Sequence, residues 1–200
     1  MPNRCTWTPR TRCWPGEPRL TPVNPSEHPV TGLTVRLARP DGADLKLITA
    51  WNAQPHVAAF WHQDWSQSQW RDELRRQLTS PDLLPCLVEL DGVPVAYLEL
   101  YRAATDRIAA LYPAHPGDLG VHIAIGDPTL LGRGIGRRVL AHVAHALVTG
   151  TVGCQRVVAE PDARNVASVR AFRAAGFIAD RELTLPEKTA LLLIYSEASA

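Results

Sequence analysis

Apolar and polar positions change period several times along this chain of 200 residues, and each change marks an element. From Leu33 to Arg39, Leu33, Val35 and Leu37 alternate with Thr34, Arg36 and Ala38, the two-residue period of a half-buried strand. Leu45, Ile48 and Trp51 then recur at helical spacing between Asp41 and Asn52. Ser66 and Gln69 fit a capping box, which predicts a helix over Trp70 to Leu78. Asp91-Gly92 separates the run Cys86 to Leu90 from Val93 to Tyr101 and reads as a hairpin turn. The second arm places Tyr97, Glu99 and Tyr101 on one face and Leu98 and Leu100 on the other. A carboxylate between two phenols is costly to bury unless it is paired, so that face is either solvent or a polar site. The aromatic connection from Asn52 to Trp65 is either a short helix packing Phe60, Trp61 and Trp65 into the core or a substrate wall on a variable loop. Further on, Val121, Ile123 and Ile125 alternate with His122 and Ala124, and the strand runs through a glycine-rich turn into a helix. The last strands are expected over Ile178 to Glu182 and Thr189 to Tyr195.

Composition narrows the class. With 46% apolar residues the chain can bury one substantial core. Lys+Arg of 21 against Asp+Glu of 20 leaves no electrostatic footprint for nucleic acid. Residues 1–32 carry Pro2, Pro9, Pro15, Pro18, Pro22, Pro25 and Pro29 with no apolar period, so they read as an extended or disordered tail before one domain over 33–200. Neither a signal-peptide h-region nor a membrane-length apolar run is visible. Cys5, Cys13, Cys86 and Cys154 lack CxxC spacing, as in a reduced cytoplasmic enzyme. His142 and His145 lie three apart without further ligands nearby, so no metal site is expected.

Gly132, Gly134 and Gly136 carry the first candidate chemistry. They leave backbone N–H groups uncovered at a helix N-terminus, where the dipole favours a phosphate. No Lys-Ser or Lys-Thr follows, which excludes a Walker loop, and Val139 breaks the dinucleotide fingerprint at its third glycine. Arg133, Arg137 and Arg138 surround the turn.

The stretch Val157 to Phe177 adds a strand ending in Glu160-Pro161-Asp162-Ala163-Arg164-Asn165 and a helix closing on Gly176-Phe177. In that order after the Leu131-Gly132-Arg133-Gly134-Ile135-Gly136 turn, it resembles the acyl-CoA site of the GNAT superfamily of N-acyltransferases over residues 33–200. Trp51-Asn52-x-x-Pro55-His56-Val57, Trp61, Asp64-Trp65, Tyr97-Leu98-Glu99-Leu100-Tyr101, Asp106, Tyr112 and Asp118-Leu119-Gly120-Val121-His122 are similar to the siderophore-biosynthesis acyltransferases of the mycobactin lysine and aerobactin N-hydroxylysine types. Aminoglycoside 6′-N-acetyltransferases are close cousins, in which an acidic residue commonly stands where His122 stands here.

The resemblance implies an α/β fold: a mixed, mostly antiparallel sheet of six or seven strands, split between the fourth and fifth, with helices on both faces. It implies acetyl-CoA or a longer acyl-CoA as donor, a small-molecule amine or hydroxylamine as acceptor, and a monomer or homodimer. The pyrophosphate would sit on the backbone from Gly132 through Ile135 to Gly136, with Arg133 and Arg137 assisting; Leu131 replaces the Gln or Arg that often opens this motif. Ile123 to Ile125 would polarise the thioester and pair with the pantetheine amides, and Asn165 would bond the pantetheine arm. Phe172 stands where many members have the tyrosine that protonates the thiolate, so Ser168 or water does so, or the thiolate leaves unprotonated at its pKa of about 8.5. His122, taken as near neutral at physiological pH, would accept the nucleophile's proton. Glu160 would orient His122 or hold the amine; Asp162 is its alternative, or else a turn residue. Trp61, Asp64, Trp65, Tyr97, Glu99 and Tyr101 are the remaining acceptor-site candidates. Two other readings stand: a small-amine acetyltransferase of the aminoglycoside kind, with an acidic pocket drawing on Glu99, Asp64 and Asp118, and a non-catalytic acyl-CoA sensor.

Overall fold

The structure, a computed structural model, describes residues 32–196. The proline-rich segment and Cys5 and Cys13 lie outside the described residues, apart from Gly32 at its end. Among the described residues seven strands form one sheet in the order β1-β2-β3-β4-β5-β7-β6. They are β1 (Leu33–Leu37), β2 (Leu83–Leu90), β3 (Val93–Arg102), β4 (Leu119–Ala124), β5 (Arg156–Ala159), β6 (Ile178–Thr184) and β7 (Thr189–Ser196). Only β4 and β5 pair in parallel; every other neighbour is antiparallel.

Local chemistry explains most boundaries. Asp91 and Gly92 both take positive φ, 51° and 80°, the twist that a two-residue hairpin turn between right-handed strands requires. Ser66 accepts from the Gln69 N–H while Gln69 Oε1 accepts from the Ser66 N–H at 3.0 Å, so the expected capping box starts α3 (Gln67–Thr79). α1 (Gly42–Asn52) and α2 (Pro55–Trp61) precede it, with Pro55 in the first turn of α2, where a missing N–H costs nothing. The aromatic connection is thus partly helical: Trp65 packs on Trp70, while Trp61 packs on Tyr97 and faces the site described below.

Alternation in β3 separates two cores. Leu98 and Leu100 join β4 and β7 with Val139, Leu140 and Val143 of α4 (Ile135–Gly150) and Phe172 of α5 (Val166–Ala174). Tyr97 lies on the opposite face with Leu87, Leu45, Ile48 and Trp51 of α1, and Trp70 and Leu74 of α3. Helices therefore cover both faces. No helix among the described residues is long and apolar enough to cross a membrane, and no group of three or more His, Cys, Asp or Glu among them is placed to hold a metal.

The position of the site follows from the parallel pair. β4 and β5 are in register only at Leu119 with Val157 and Gly120 with Val158. From Val121 onward β4 has β3 on one side and, among the described residues, no strand on the other. The expected split between the fourth and fifth strands is this divergence.

Candidate active site

A cavity of about 760 Å³ opens along the split. Its floor is β4 from Val121 to Ala124 with Ile125 just beyond it, its donor-side wall is the glycine turn with α5, and its other wall is α2.

Register builds the polar centre. Glu99 pairs directly with His122 across β3 and β4, and Tyr101 pairs with Gly120. A β-carbon at Gly120 would lie 2.0 Å from the Tyr101 ring; only glycine lets that phenol cross β4 towards β5. There Tyr101 OH donates to Glu160 Oε2 at 2.5 Å, and Glu160 Oε1 lies 2.6 Å from His122 Nε2. Glu99 Oε2 takes the other ring nitrogen, Nδ1, at 3.2 Å. Glu99 Oε1 in turn accepts from Gln77 Nε2 at 2.7 Å and from Tyr97 OH at 3.2 Å. The Tyr97–Glu99–Tyr101 face is thus a polar site, and its carboxylate is paired as burial demands.

Both ring nitrogens of His122 face carboxylates, and this sets its charge. Burial disfavours the imidazolium, but Glu160 and then Glu99 outweigh it and hold the His122 pKa well above its usual 6.5. Burial alone would raise the Glu160 carboxyl; the His122 charge and hydrogen bond pull it down instead. The histidine read as near neutral from the sequence is therefore held protonated in the free protein. Tyr97 and Tyr101, raised by burial and by their carboxylate neighbours, stay protonated donors.

The donor side is open backbone. Gly132 and Gly134 have φ of 71° and 75°, and a β-carbon on either would meet nothing within 4 Å. Gly134 caps α4, whose sixteen residues carry no acidic side chain in the first turn. Its first N–H groups have no intrahelical acceptor and face the cavity beside Ile135, Gly136 and Arg137. Leu131, Ser168 and Phe172 also line this part; Arg133 does not. Asn165 caps α5 by accepting from the Ser168 N–H at 3.1 Å, which leaves its amide N–H groups available to a ligand.

Ile123 and Ile125 line the floor. The Ile125 carbonyl is 2.8 Å from His56 Nε2, and Trp51 lies so close to Gly126 that a β-carbon there would sit 1.8 Å from its ring. The Trp51 to His56 segment thus docks α1 and α2 onto the end of β4.

Several acceptor-site candidates sit elsewhere. Tyr97 and Tyr101 are buried behind the carboxylates and are not on the cavity wall; they act through Glu99 and Glu160. Asp64 and Trp65 are off the wall as well, since Trp65 stacks on Trp70, whereas Trp61 is on it. Asp162 reaches the wall, but both its oxygens accept from Arg164, whose backbone N–H closes the turn at 2.8 Å. Asp118 is sealed under Arg156 and Tyr112. Gln77 was not foreseen; its spacing from Trp70 and Leu74 along the buried stripe of α3 is the signal that places a polar side chain against the sheet.

A family model described as an acetyltransferase (GNAT) domain matches residues 41–185. The chain is 38% identical over 165 residues to the lysine N-acyltransferase MbtK of Mycolicibacterium paratuberculosis, covering 82% of this chain and 74% of that one. It is 33% identical over 162 residues to the N(6)-hydroxylysine O-acetyltransferase of Escherichia coli, covering 81% and 51%. The aminoglycoside acetyltransferase AAC(6′)-Ib, solved in complex with coenzyme A, superposes with a TM-score of 0.73 over 84% of this chain and 96% of that one, at 19% identity.

Proposed function

Because this chain belongs to the GNAT acetyltransferase family and is an acyltransferase, we propose that it moves an acyl group from coenzyme A onto the side-chain amine or N-hydroxyamine of a lysine-, ornithine- or diamine-type acceptor, in hydroxamate siderophore biosynthesis. The observation that carries the reading is the Glu99–His122–Glu160 array at the floor of the split, beside an open glycine turn. The relatives named for lysine and hydroxylysine support the acceptor class.

The residues divide the work. The α4 N-terminus from Gly132 to Gly136 takes the pyrophosphate on backbone N–H groups, with Arg137 beside it. Asn165 offers its amide to the pantetheine arm, and the unpaired edge of β4 at Ile123 to Ile125 pairs with it and polarises the thioester carbonyl. Glu160 is fully engaged by His122 and Tyr101, so it orients the imidazole rather than holding the amine. Both ring nitrogens of His122 are engaged by carboxylates, so the imidazole takes the nucleophile's proton only after losing its own and turning that nitrogen from its carboxylate to the acceptor, and activity rises with pH accordingly. An N-hydroxylamine arrives neutral, whereas a lysine-like amine with a pKa of about 10.4 must first be deprotonated.

The aminoglycoside reading required acidic groups beyond Glu99, and Asp64 and Asp118 do not reach the cavity. Thiol release from acetyl-CoA and longer acyl-CoAs, presented with lysine, ornithine, cadaverine, their N-hydroxy forms and kanamycin, tests the reading. Turnover confined to the lysine, ornithine and diamine group supports it; turnover with kanamycin alone overturns it.

A further inference from the structure

Charge around the acceptor half of the cavity is unevenly committed. Four carboxylates line it, and each has both oxygens engaged: Glu99 by Gln77, Tyr97 and His122; Glu160 by His122 and Tyr101; Asp162 by Arg164; Glu187 by Arg107. Each therefore already has a donor within the protein. Lys188 is different. It lines the same wall, and its Nζ has one hydrogen bond, 2.8 Å to the main-chain oxygen of Glu160. That partner is neutral, so two N–H donors of Lys188 remain to be met, while its charge lies beside the Glu160, Asp162 and Glu187 carboxylates.

The fold holds the ammonium there on purpose-built geometry. Residues Leu185 to Lys188 form the tight turn between β6 and β7, closed by the Leu185 N–H on the Lys188 carbonyl at 2.9 Å, with Pro186 second in the turn, where its fixed φ fits. Glu187 is paired with Arg107, and both line the cavity. Lys188 then reaches inward to Glu160, the residue whose side chain holds His122. One residue therefore links the two groups: its carboxylate fixes the imidazole and its carbonyl fixes the ammonium.

We propose that Lys188 is a carboxylate-recognition site for the acyl acceptor: the reacting nitrogen lies at His122 while an α-carboxylate at the far end of the same molecule meets the Lys188 ammonium. This rests on the acceptor class proposed above and narrows it to amino acids over diamines. A diamine brings a second cation beside the Lys188 ammonium, whereas an amino acid brings a carboxylate that can meet its two open N–H donors.

The test compares kcat/KM, with one acyl-CoA, for four acceptors: N6-hydroxylysine, N-hydroxycadaverine, which is the same molecule without its carboxylate, lysine and lysine amide. The wild-type protein is expected to favour each carboxylate-bearing acceptor over its neutralised partner by roughly 10-fold or more, mostly through KM. Lys188→Gln is expected to collapse that ratio to within about 2-fold, and Lys188→Arg to retain it. A wild-type ratio near one, or a ratio kept in Lys188→Gln while both acceptors slow by the same factor, overturns the carboxylate site and leaves the acceptor class standing. Absence of turnover with all four acceptors overturns the class itself and this site with it.

Discussion

Replacing Glu160 by glutamine isolates the charge that holds the His122 proton. The amide oxygen can still accept from Tyr101 and its N–H can donate to a neutral imidazole, so the geometry at 2.5 and 2.6 Å has a neutral counterpart. What is lost is the attraction between carboxylate and imidazolium. At about 4 Å between charge centres and an effective dielectric near 20 this is about 4 kcal/mol, or about 3 pH units at 1.36 kcal/mol per unit. The His122 side chain is 35% exposed, so solvent screens part of it, and Glu99 remains on Nδ1. A downward shift of about 1–2 units is the net expectation. The sign follows from the direction of the shift. A histidine raised by carboxylates stays charged until the pH passes its raised pKa, so the rising limb of wild-type activity has its midpoint well above 6.5 and that of Glu160→Gln lies closer to it. The assay is kcat/KM against pH for an N-hydroxylated acceptor, whose reacting nitrogen is only weakly basic. A midpoint in Glu160→Gln equal to or above that of the wild type would refute the reasoning.

Other substitutions test the supporting geometry. Gly120→Ala should destabilise the fold by about 1–3 kcal/mol, because the new β-carbon meets the Tyr101 ring at 2.0 Å; an unchanged urea midpoint would show that the ring does not cross there. Gln77→Leu takes one donor from Glu99 Oε1 and one acceptor from Tyr97 OH, leaving the two only each other at 3.2 Å, and should cost about 1 kcal/mol of stability and lower kcat/KM; full activity at normal stability would remove Gln77 from the array. Asn165→Asp keeps an oxygen for the Ser168 N–H but loses the amide donors, so KM for acyl-CoA should rise while the melting temperature holds; Asn165→Ala should lose about 1 kcal/mol of cap as well.

Short-range patterns determined the elements. Alternation at Leu33 to Leu37 and in β3, the capping box at Ser66 and Gln69, the Asp91-Gly92 turn and the glycine turn before α4 each depend on neighbours within a few residues, and each stands where the chain places it. The pairing of His122 with Glu160 followed from resemblance, and the face shared by Tyr97, Glu99 and Tyr101 followed from a period of two. Whether that face met solvent or formed a site was beyond local pattern. Tertiary structure decided it through strand register, which sets Glu99 against His122, and through the close approach at Gly120, which lets Tyr101 reach Glu160. It also brought in Gln77 from α3 and Lys188 from the β6–β7 turn, residues remote in sequence from the strands they serve. The charge of His122 is the sharpest case. An isolated histidine is near neutral at physiological pH, and only the convergence of two carboxylates from β3 and the end of β5 holds its proton in place.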